Sequence, residues 1–198
     1  KRRFTEERWR EFKKDVLYFQ SLVPRSKWKH MLRDKGYNGT PVWTMMTALW
    51  TTRVPTDSPL GMAFLACLDP ILLGLMFTLI GLSFGIVALL LTVIFYCTNF
   101  TMSFVHIKGA LLRLDWLVAL VLCICLVKQK RYKLAGGCLA YAALMRIFPV
   151  IFAFGLLSVM AWQLLRTHAL ARRHLEFLVA AAAVAGVLIV ASVTAYGL

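Results

Sequence analysis

The fold is decided by an apolar run at residues 60–79, which reads LGMAFLACLDPILLGLMFTL and contains one charged residue, Asp69. Twenty residues of α-helix measure about 30 Å, the thickness of the hydrocarbon core of a bilayer. The run therefore predicts a membrane-spanning helix, with Asp69 and the following Pro70 midway along it. A charged side chain at the centre of a bilayer costs about 2.5–3.5 kcal/mol or more. We therefore expect this acid to be bonded to a partner or to be functional.

Similar apolar runs follow along the chain, separated by short basic hinges. The further spans that we predict are at residues 86–105, 111–127, 134–165 and 177–198. Hydrophobic residues make up 60% of the 198 and charged residues 16%, whereas a soluble domain is nearer to half apolar and a quarter charged. The sequence therefore predicts an all-α polytopic membrane protein with about five or six transmembrane or half-spanning helices, preceded by amphipathic interfacial helices. It excludes a soluble enzyme and a disordered chain.

The run at residues 134–165 is too long for one upright span. As a single helix it would measure about 48 Å, against about 30 Å for the hydrocarbon core, and it contains Arg146 and Pro149. Two arrangements are open: one long tilted helix, or two shorter helices that meet inside the membrane near these two residues. We favour the second because proline breaks a helix. It also places the basic hinges at residues 128–133 and 166–173 on one side, in agreement with the positive-inside rule.

Before the first span the chain is basic and aromatic. Thr5 is a suitable N-cap for a first helix, which Pro24 would end, and Ser26 can cap a second helix that would end at Gly36. Apolar side chains recur at three- and four-residue steps in the first helix, at Trp9, Phe12, Val16 and Phe19. Such helices suit the headgroup boundary of a membrane. Packing against the protein's own transmembrane helices is the open alternative.

Charge and chain ends bear on partners and organisation. Lys and Arg number 23 against 9 Asp and Glu, a formal net charge of +14. Because the basic excess flanks membrane spans, as loop charge does, we expect membrane lipids rather than nucleic acid as partners. We divide the chain into a front segment at residues 1–58 and a transmembrane domain at residues 59–198. The chain opens at Lys1 without an initiator Met and closes at Leu198 inside an apolar run, so we expect it to be part of a longer polypeptide.

Ionisable residues inside the apolar runs are the first candidates for a site. They are Asp69, Arg113, Asp115 and Arg146. One interpretation is structural: Asp69 with Arg146, or Asp115 with Arg113, would form ion pairs that lock helices together. These residues then make up an intramembrane charge network, in which each charge offsets the cost of burying the other.

The other interpretation of these residues is functional. Arg146 and Arg113 would bind a phosphate or an anionic lipid headgroup with their forked guanidinium donors. His106 and Lys108, at the mouth of the hinge before the third span, are weaker additions to such a site. Phosphate binding and ion pairing are both compatible with the residue pattern.

Soluble-type chemistry leaves no signature here. The chain has no P-loop, no dinucleotide fingerprint and no zinc pattern. Its 5 cysteines all lie in apolar runs, where cysteine commonly fills space between helices. We therefore predict no metal site and no cofactor, with a bound divalent metal left as an open alternative.

The stretch at residues 130–149 reads KRYKLAGGCLAYAALMRIFP: a basic hinge, a small-residue helix, and then Arg146 shortly before Pro149. This arrangement resembles a recurring element of the C-type integral membrane glycosyltransferases, in their bacterial mannosyltransferase-like branch. Residues 113–116, RLDW, and residues 37–43, YNGTPVW, are similar to further parts of that branch.

The resemblance implies a fold, an activity and a location. It implies an enzyme of the bacterial cytoplasmic membrane that transfers a sugar from a polyprenol-phosphate donor to an extracytoplasmic acceptor, with inversion at the sugar carbon. The family's general base is an acid in its first extracytoplasmic loop, which we expect upstream of Lys1. Asp34 is a weak substitute. The resemblance gives Arg146 a phosphate-binding or structural role.

Two other functions are compatible with the sequence. The chain could be a non-catalytic accessory or structural subunit that docks to other subunits of a larger membrane complex. It could also be a fragment of a transporter, because transporters place discontinuous helices at their substrate sites and the run at residues 134–165 has the residues of a broken helix.

Overall fold

The computed structural model describes residues 5–22, 24, 26–28, 39–55, 58–99 and 111–196. Its helices are α1 (Glu6–Leu22), α2 (Pro41–Thr51), α3 (Pro59–Phe84), α4 (Ile86–Thr98), α5 (Asp115–Lys128), α6 (Tyr132–Met145), α7 (Ala153–Thr167) and α8 (Arg172–Tyr196). A 3₁₀ helix at Phe148–Phe152 precedes α7. Within the described ranges all regular structure is helical, and the predicted all-α membrane class is confirmed.

Helix lengths fall into two classes. Three helical segments of the described chain are long and apolar enough to cross a membrane: Pro59–Phe84, Phe148–Thr167 and Arg172–Ala195. By contrast, α4 has 13 residues and α5 and α6 have 14 each. At 1.5 Å per residue these three measure only about 20 Å. The protein thus combines full-length and half-length helices.

The chain divides into two compact units, Lys1–Asn38 and Gly39–Leu198. In the first unit the Thr5 hydroxyl accepts the backbone N–H of Arg8 at 3.3 Å, so the predicted cap is present. Trp9 and Phe12 stack with ring centroids 5.5 Å apart. The second helix predicted for the front segment lies largely outside the described residues.

Within the second unit, α3 and α4 form a tight helical hairpin. A single residue, Gly85, separates the two helices, and its φ of 88° favours glycine. Helix α3 is therefore longer than the predicted span at residues 60–79, and the link to α4 is shorter than predicted. Phe77 and Tyr96 pack edge to face at 5.7 Å between the two helices. The apolar surface of α4 is mostly exposed, as expected of a helix that faces lipid.

The helix α5 runs parallel to the second half of α3. Three hydrogen bonds join residues 44 to 46 positions apart: Arg113 N–H to Asp69, the Cys125 thiol to the Leu79 carbonyl, and Gln129 Nε2 to Ser83 Oγ. The difference in residue number between the bonded partners is nearly constant, so the two helices run in the same direction. Helix α5 therefore begins beside Asp69 and ends beside the end of α3. The predicted third span starts at Leu111, but the helix starts at Asp115 and residues 111–114 are not helical.

A short turn returns the chain into α6, which packs between α5 and α8. A Cβ at Gly136 would collide with the carbonyl oxygen of Phe177, so only glycine allows this close approach of α6 and α8. The buried side chains here are small or apolar: Ala119, Leu120, Cys123, Leu126, Ala135, Leu139, Ala142 and Phe177. Close contact of small residues is the usual way in which membrane helices associate.

The long run at residues 134–165 is broken, as one of the two predicted arrangements has it. Helix α6 ends at Met145, Arg146 is extended with φ −144° and ψ 135°, and the 3₁₀ helix follows. Pro149 lacks an N–H group, and its ring would collide with the carbonyl four residues earlier in a continuous helix. The break therefore lies where the sequence predicts it.

Helix α2 belongs to the second unit, although it comes before residue 58. It packs against α6 and α8, and Met46 contacts the buried cluster of Leu65, Leu68 and Leu112. The ring centroids of Trp50 and of Phe64 in α3 are 6.1 Å apart.

Candidate functional site

Polar and charged side chains gather where the half-length helices begin and end. We call this region the junction. It consists of Thr40, Trp43, Asp69, Leu112–Asp115, Tyr141 and Arg146. The start of α5 lies beside Asp69, and α6 returns antiparallel to α5 so that its end reaches the same level of α3. The topology thus brings together residues that are up to about a hundred positions apart in sequence.

The carboxylate of Asp69 is fully buried and bonded to backbone. The N–H of Arg113 donates to both carboxylate oxygens at 3.0 Å, and the N–H of Leu114 donates to Oδ1 at 3.0 Å. These N–H groups precede the first turn of α5, where they would otherwise lack partners and where the helix dipole favours negative charge. Asp69 is therefore a cap that α3 supplies to α5.

The backbone of Leu112 is held in an unusual conformation next to this cap. Its φ is 45°, in the left-handed region that a residue with a Cβ seldom adopts. Its carbonyl oxygen accepts the indole N–H of Trp43 at 3.0 Å. The segment 111–114 is thus bonded from one side by α3 and from the other by α2.

Asp115 is also bonded without an arginine partner. One carboxylate oxygen accepts the Tyr141 hydroxyl at 2.9 Å and the other accepts the backbone N–H of Trp116 at 2.8 Å. Among the described residues, an ion pair with a distance below 4.0 Å is formed by Arg172 and Glu176, not by the acids of the junction. The predicted ion pairs of Asp69 with Arg146 and of Asp115 with Arg113 are therefore wrong. Hydrogen bonds to backbone and to tyrosine replace them.

Thr40 joins α2 to the end of α6. Its hydroxyl donates to the carbonyl oxygen of Leu144 at 2.7 Å and accepts the N–H of Trp43 at 3.1 Å. The hydroxyl thus satisfies an unpaired carbonyl at the end of α6 and an unpaired N–H at the start of α2.

The two helices that Thr40 joins point in the same direction. Helix α2 starts at the end of α6 and runs toward Phe64, near the beginning of α3. Together the 14 residues of α6 and the 11 of α2 equal the 25 of α8. The protein thus builds one full-length helical column from two separate stretches of sequence.

Arg146 lies at the helix break that follows α6. It directly follows α6, is half-buried, and is close enough for its charge to act on the Asp115 carboxylate. No carboxylate of a described residue is within 4.0 Å of its guanidinium. Trp116 of α5 and Phe148 of the 3₁₀ helix pack edge to face at 4.5 Å. A partly accessible guanidinium is suited to an anionic ligand.

The predicted site residues are placed as follows. The structure brings Asp69, Arg113, Asp115 and Arg146 into the junction, whereas His106, Lys108 and Asp34 lie outside the described residues. Thr40, Trp43 and Tyr141 were not among the predicted site residues. Thr40 before Pro41 carries the local signal of a helix cap, but the bonds of these three residues to the junction join positions 26 to 104 apart, which no local pattern reveals. Among the described residues, no group of three or more His, Cys, Asp or Glu side chains could hold a metal ion.

Comparisons with protein-family models, curated proteins and solved structures found no match to this chain. Function is therefore inferred from the residues of the junction and from their geometry.

Proposed function

We propose that this chain is part of a multi-pass membrane glycosyltransferase that takes its sugar from a polyprenol-phosphate donor. Arg146, with Arg113, would contact the donor phosphate. The observation that carries the proposal is the half-buried guanidinium of Arg146 at the helix break, with no carboxylate partner among the described residues. The resemblance of residues 130–149 to the C-type enzymes supports the same assignment, because the basic residue and proline of that element flank this break.

Depth in the membrane supports a lipid-linked substrate. Asp69 lies about ten residues after the start of α3 and about fifteen before its end, roughly 15 and 22 Å along the helix. If α3 crosses the bilayer, the junction lies within the hydrocarbon region. A phosphate carried on a polyprenyl chain can reach that depth from the side of the membrane, while its chain stays in lipid.

The charges of the junction fit a phosphate leaving group. Asp69 and Asp115 have hydrogen-bond partners of their own, and neither carboxylate lies within 4.0 Å of the Arg146 guanidinium. A fixed guanidinium in a low-dielectric region stabilises the negative charge that develops on phosphate as the sugar departs. Its forked donors match two phosphate oxygens at once.

A binding experiment tests the role of Arg146. The full-length protein in lipid nanodiscs is titrated with polyprenyl monophosphate, and Kd is compared with that of Arg146→Ala. We expect the variant to bind about 10- to 100-fold more weakly, since hydrogen bonds to charged groups contribute roughly 1.5–3 kcal/mol. Its melting temperature should be nearly unchanged. Arg131→Ala is the matched control, because Arg131 is exposed at the opposite end of α6.

The outcomes separate the two interpretations of this arginine. Weaker binding at an unchanged melting temperature supports the phosphate site. Unchanged binding with a lower melting temperature would show that Arg146 only stabilises the helices and would overturn the proposal. Competition by inorganic phosphate and by phosphatidylglycerol distinguishes a site for lipid-linked phosphate from one for free phosphate or for ordinary anionic lipid.

Topology provides a second test of the enzyme assignment. The family places the region before the first span outside the cytoplasm and the hinge at residues 128–133 inside. In a cysteine-free background, Ser26→Cys should therefore react with an impermeant thiol reagent from the extracytoplasmic side. A Ser26→Cys label accessible only from the cytoplasm contradicts the assignment.

A transporter is the second candidate, and one observation favours it. The column of α6 and α2, interrupted at Thr40 and Arg146, is a discontinuous helix pair of the kind that binds substrates in transporters. The two functions differ in their products. In proteoliposomes a transporter moves its ligand intact, whereas the enzyme separates the sugar from the polyprenyl phosphate.

A further inference from the structure

We propose that Asp69 and Trp43 are positioning residues that fix the backbone on either side of Arg113 and so orient its guanidinium toward the ligand. This inference rests on the proposed function, in which Arg113 contributes to phosphate binding. Neither residue needs to touch the ligand. Each acts through hydrogen bonds to the segment 111–114.

The residues of this segment do not themselves disfavour a helix. Residues 111–114 read LLRL, and leucine and arginine are among the better helix formers. No glycine or proline interrupts them. A helix that continued the apolar run would begin one turn earlier, yet α5 begins at Asp115 and Leu112 adopts φ 45°. Tertiary contacts hold the segment in this conformation.

Those contacts come from two different helices and meet at one residue. Asp69 of α3 accepts the N–H groups of Arg113 and Leu114 at 3.0 Å, and Trp43 of α2 donates to the Leu112 carbonyl at 3.0 Å. The peptide units on both sides of the Arg113 Cα are thus anchored. Asp69 is fully buried and Leu112 nearly so, which shields these bonds from much of the competition by water.

A strained backbone persists only where the surrounding structure over-determines it, and such positions concentrate at functional sites. Here the strained residue, Leu112, directly precedes Arg113, so the anchored backbone fixes where the Arg113 side chain begins. Arg113 is exposed while its backbone is anchored, and Asp115 of the junction is two residues further on. Anchoring limits the volume that the guanidinium can sample and so lowers the entropy lost on binding.

A double-mutant cycle tests this role. Trp43→Phe keeps an aromatic ring and removes the indole N–H. It is made in the wild-type protein and in Arg113→Ala, and Kd for polyprenyl monophosphate is measured in nanodiscs together with the melting temperature. We expect Arg113→Ala to weaken binding about tenfold and Trp43→Phe to weaken it about three- to tenfold. In the Arg113→Ala background, Trp43→Phe should have no further effect on Kd.

A tryptophan on the same helix as Trp43 provides the control. Trp50→Phe, also on α2, should leave Kd unchanged in both backgrounds. Equal weakening by Trp43→Phe with and without Arg113, or no weakening at all, would overturn the positioning role. If neither Arg113→Ala nor Arg146→Ala changes Kd, the proposed function itself fails. If Arg113→Ala weakens binding and Trp43→Phe does not, only this inference fails.

Asp69→Asn examines the other anchor. The asparagine keeps the size of the side chain and one acceptor oxygen but presents an amide to the N–H donors. Its effect on Kd should also depend on Arg113. If Asp69→Asn prevents folding, the Trp43→Phe cycle alone decides the question.

Discussion

The two ends of α6 are held by different physical means. Near its beginning, Gly136 approaches the backbone of Phe177 so closely that no side chain fits between the helices. Near its end, Tyr141 and Leu144 are bonded to Asp115 and Thr40. We call the first region the α6–α8 seam. One end of this helix is thus fixed by shape and the other by hydrogen bonds.

The difference follows from the surroundings of membrane helices. Lipid tails are as apolar as leucine, so helices associate through close packing of small residues rather than through the hydrophobic effect. Polar groups in the same environment must find partners. A seam of small residues makes a rigid contact without any polar group. The junction carries polar groups at a cost, which is the arrangement expected where a ligand binds.

The largest destabilisation should come from adding a side chain in the α6–α8 seam. In Gly136→Ala the new methyl group collides with the Phe177 carbonyl, so α6 and α8 must separate. We expect the free energy of unfolding to fall by ~3 kcal/mol or more, as is typical of severe overpacking. The melting temperature in detergent measures it. Gly186→Ala on α8, where a Cβ meets open space, should have no destabilising effect. A small loss for Gly136→Ala would show that the seam is less rigid than this comparison requires.

A somewhat smaller loss should follow from changing the cap at the junction. Asp69→Asn leaves the N–H groups of Arg113 and Leu114 facing a neutral side chain, one end of which is itself a donor. We expect about 2–3 kcal/mol of destabilisation, since buried charged hydrogen bonds are costly to lose. Asp15→Asn, on an exposed surface of α1, should leave the melting temperature unchanged. An equally stable Asp69→Asn protein would contradict the capping role.

Removing the Tyr141 hydroxyl from the junction should destabilise the protein less than the Asp69→Asn change. Tyr141→Phe keeps the ring and leaves one oxygen of Asp115 without its donor. The expected loss is about 1.5–3 kcal/mol, the contribution of a hydrogen bond to a charged group. Tyr132→Phe, at the other end of α6, is the control for the phenol-to-phenyl change. If the two variants melt at the same temperature, the Asp115–Tyr141 bond does not stabilise the junction.

The smallest effect should come from a charge pair outside both regions. Arg172 and Glu176 lie 3.0 Å apart one turn along α8, and the Arg172 side chain is 90% exposed. Exposed pairs at this spacing contribute only about 0.3–0.5 kcal/mol. Arg172→Ala should therefore shift the melting temperature little, and high salt should abolish the shift. A loss as large as that of Tyr141→Phe would mean that α8 depends on this pair in an unexpected way.

Local features of the chain were predictable because their causes are local. The Thr5 cap, the helical membrane class and the break between Arg146 and Pro149 each follow from a few neighbouring residues. The partners of the intramembrane acids were not predictable in this way. Charge complementarity suggested arginine for both Asp69 and Asp115, but backbone N–H groups and a tyrosine occupy those places.

By itself, the sequence determined that this is an all-α membrane protein and where its apolar runs lie, and it favoured a break in the long run after residue 133. Length, hydropathy and proline act over a few turns of helix, so they can be read without knowing the fold. Only the tertiary structure decided that α5 is capped by a residue of α3, and that α2 continues α6. Those bonds join residues 44 and 104 positions apart. Because many polar groups along the chain could have satisfied the same donors and acceptors, the choice among them depends on which helices pack together.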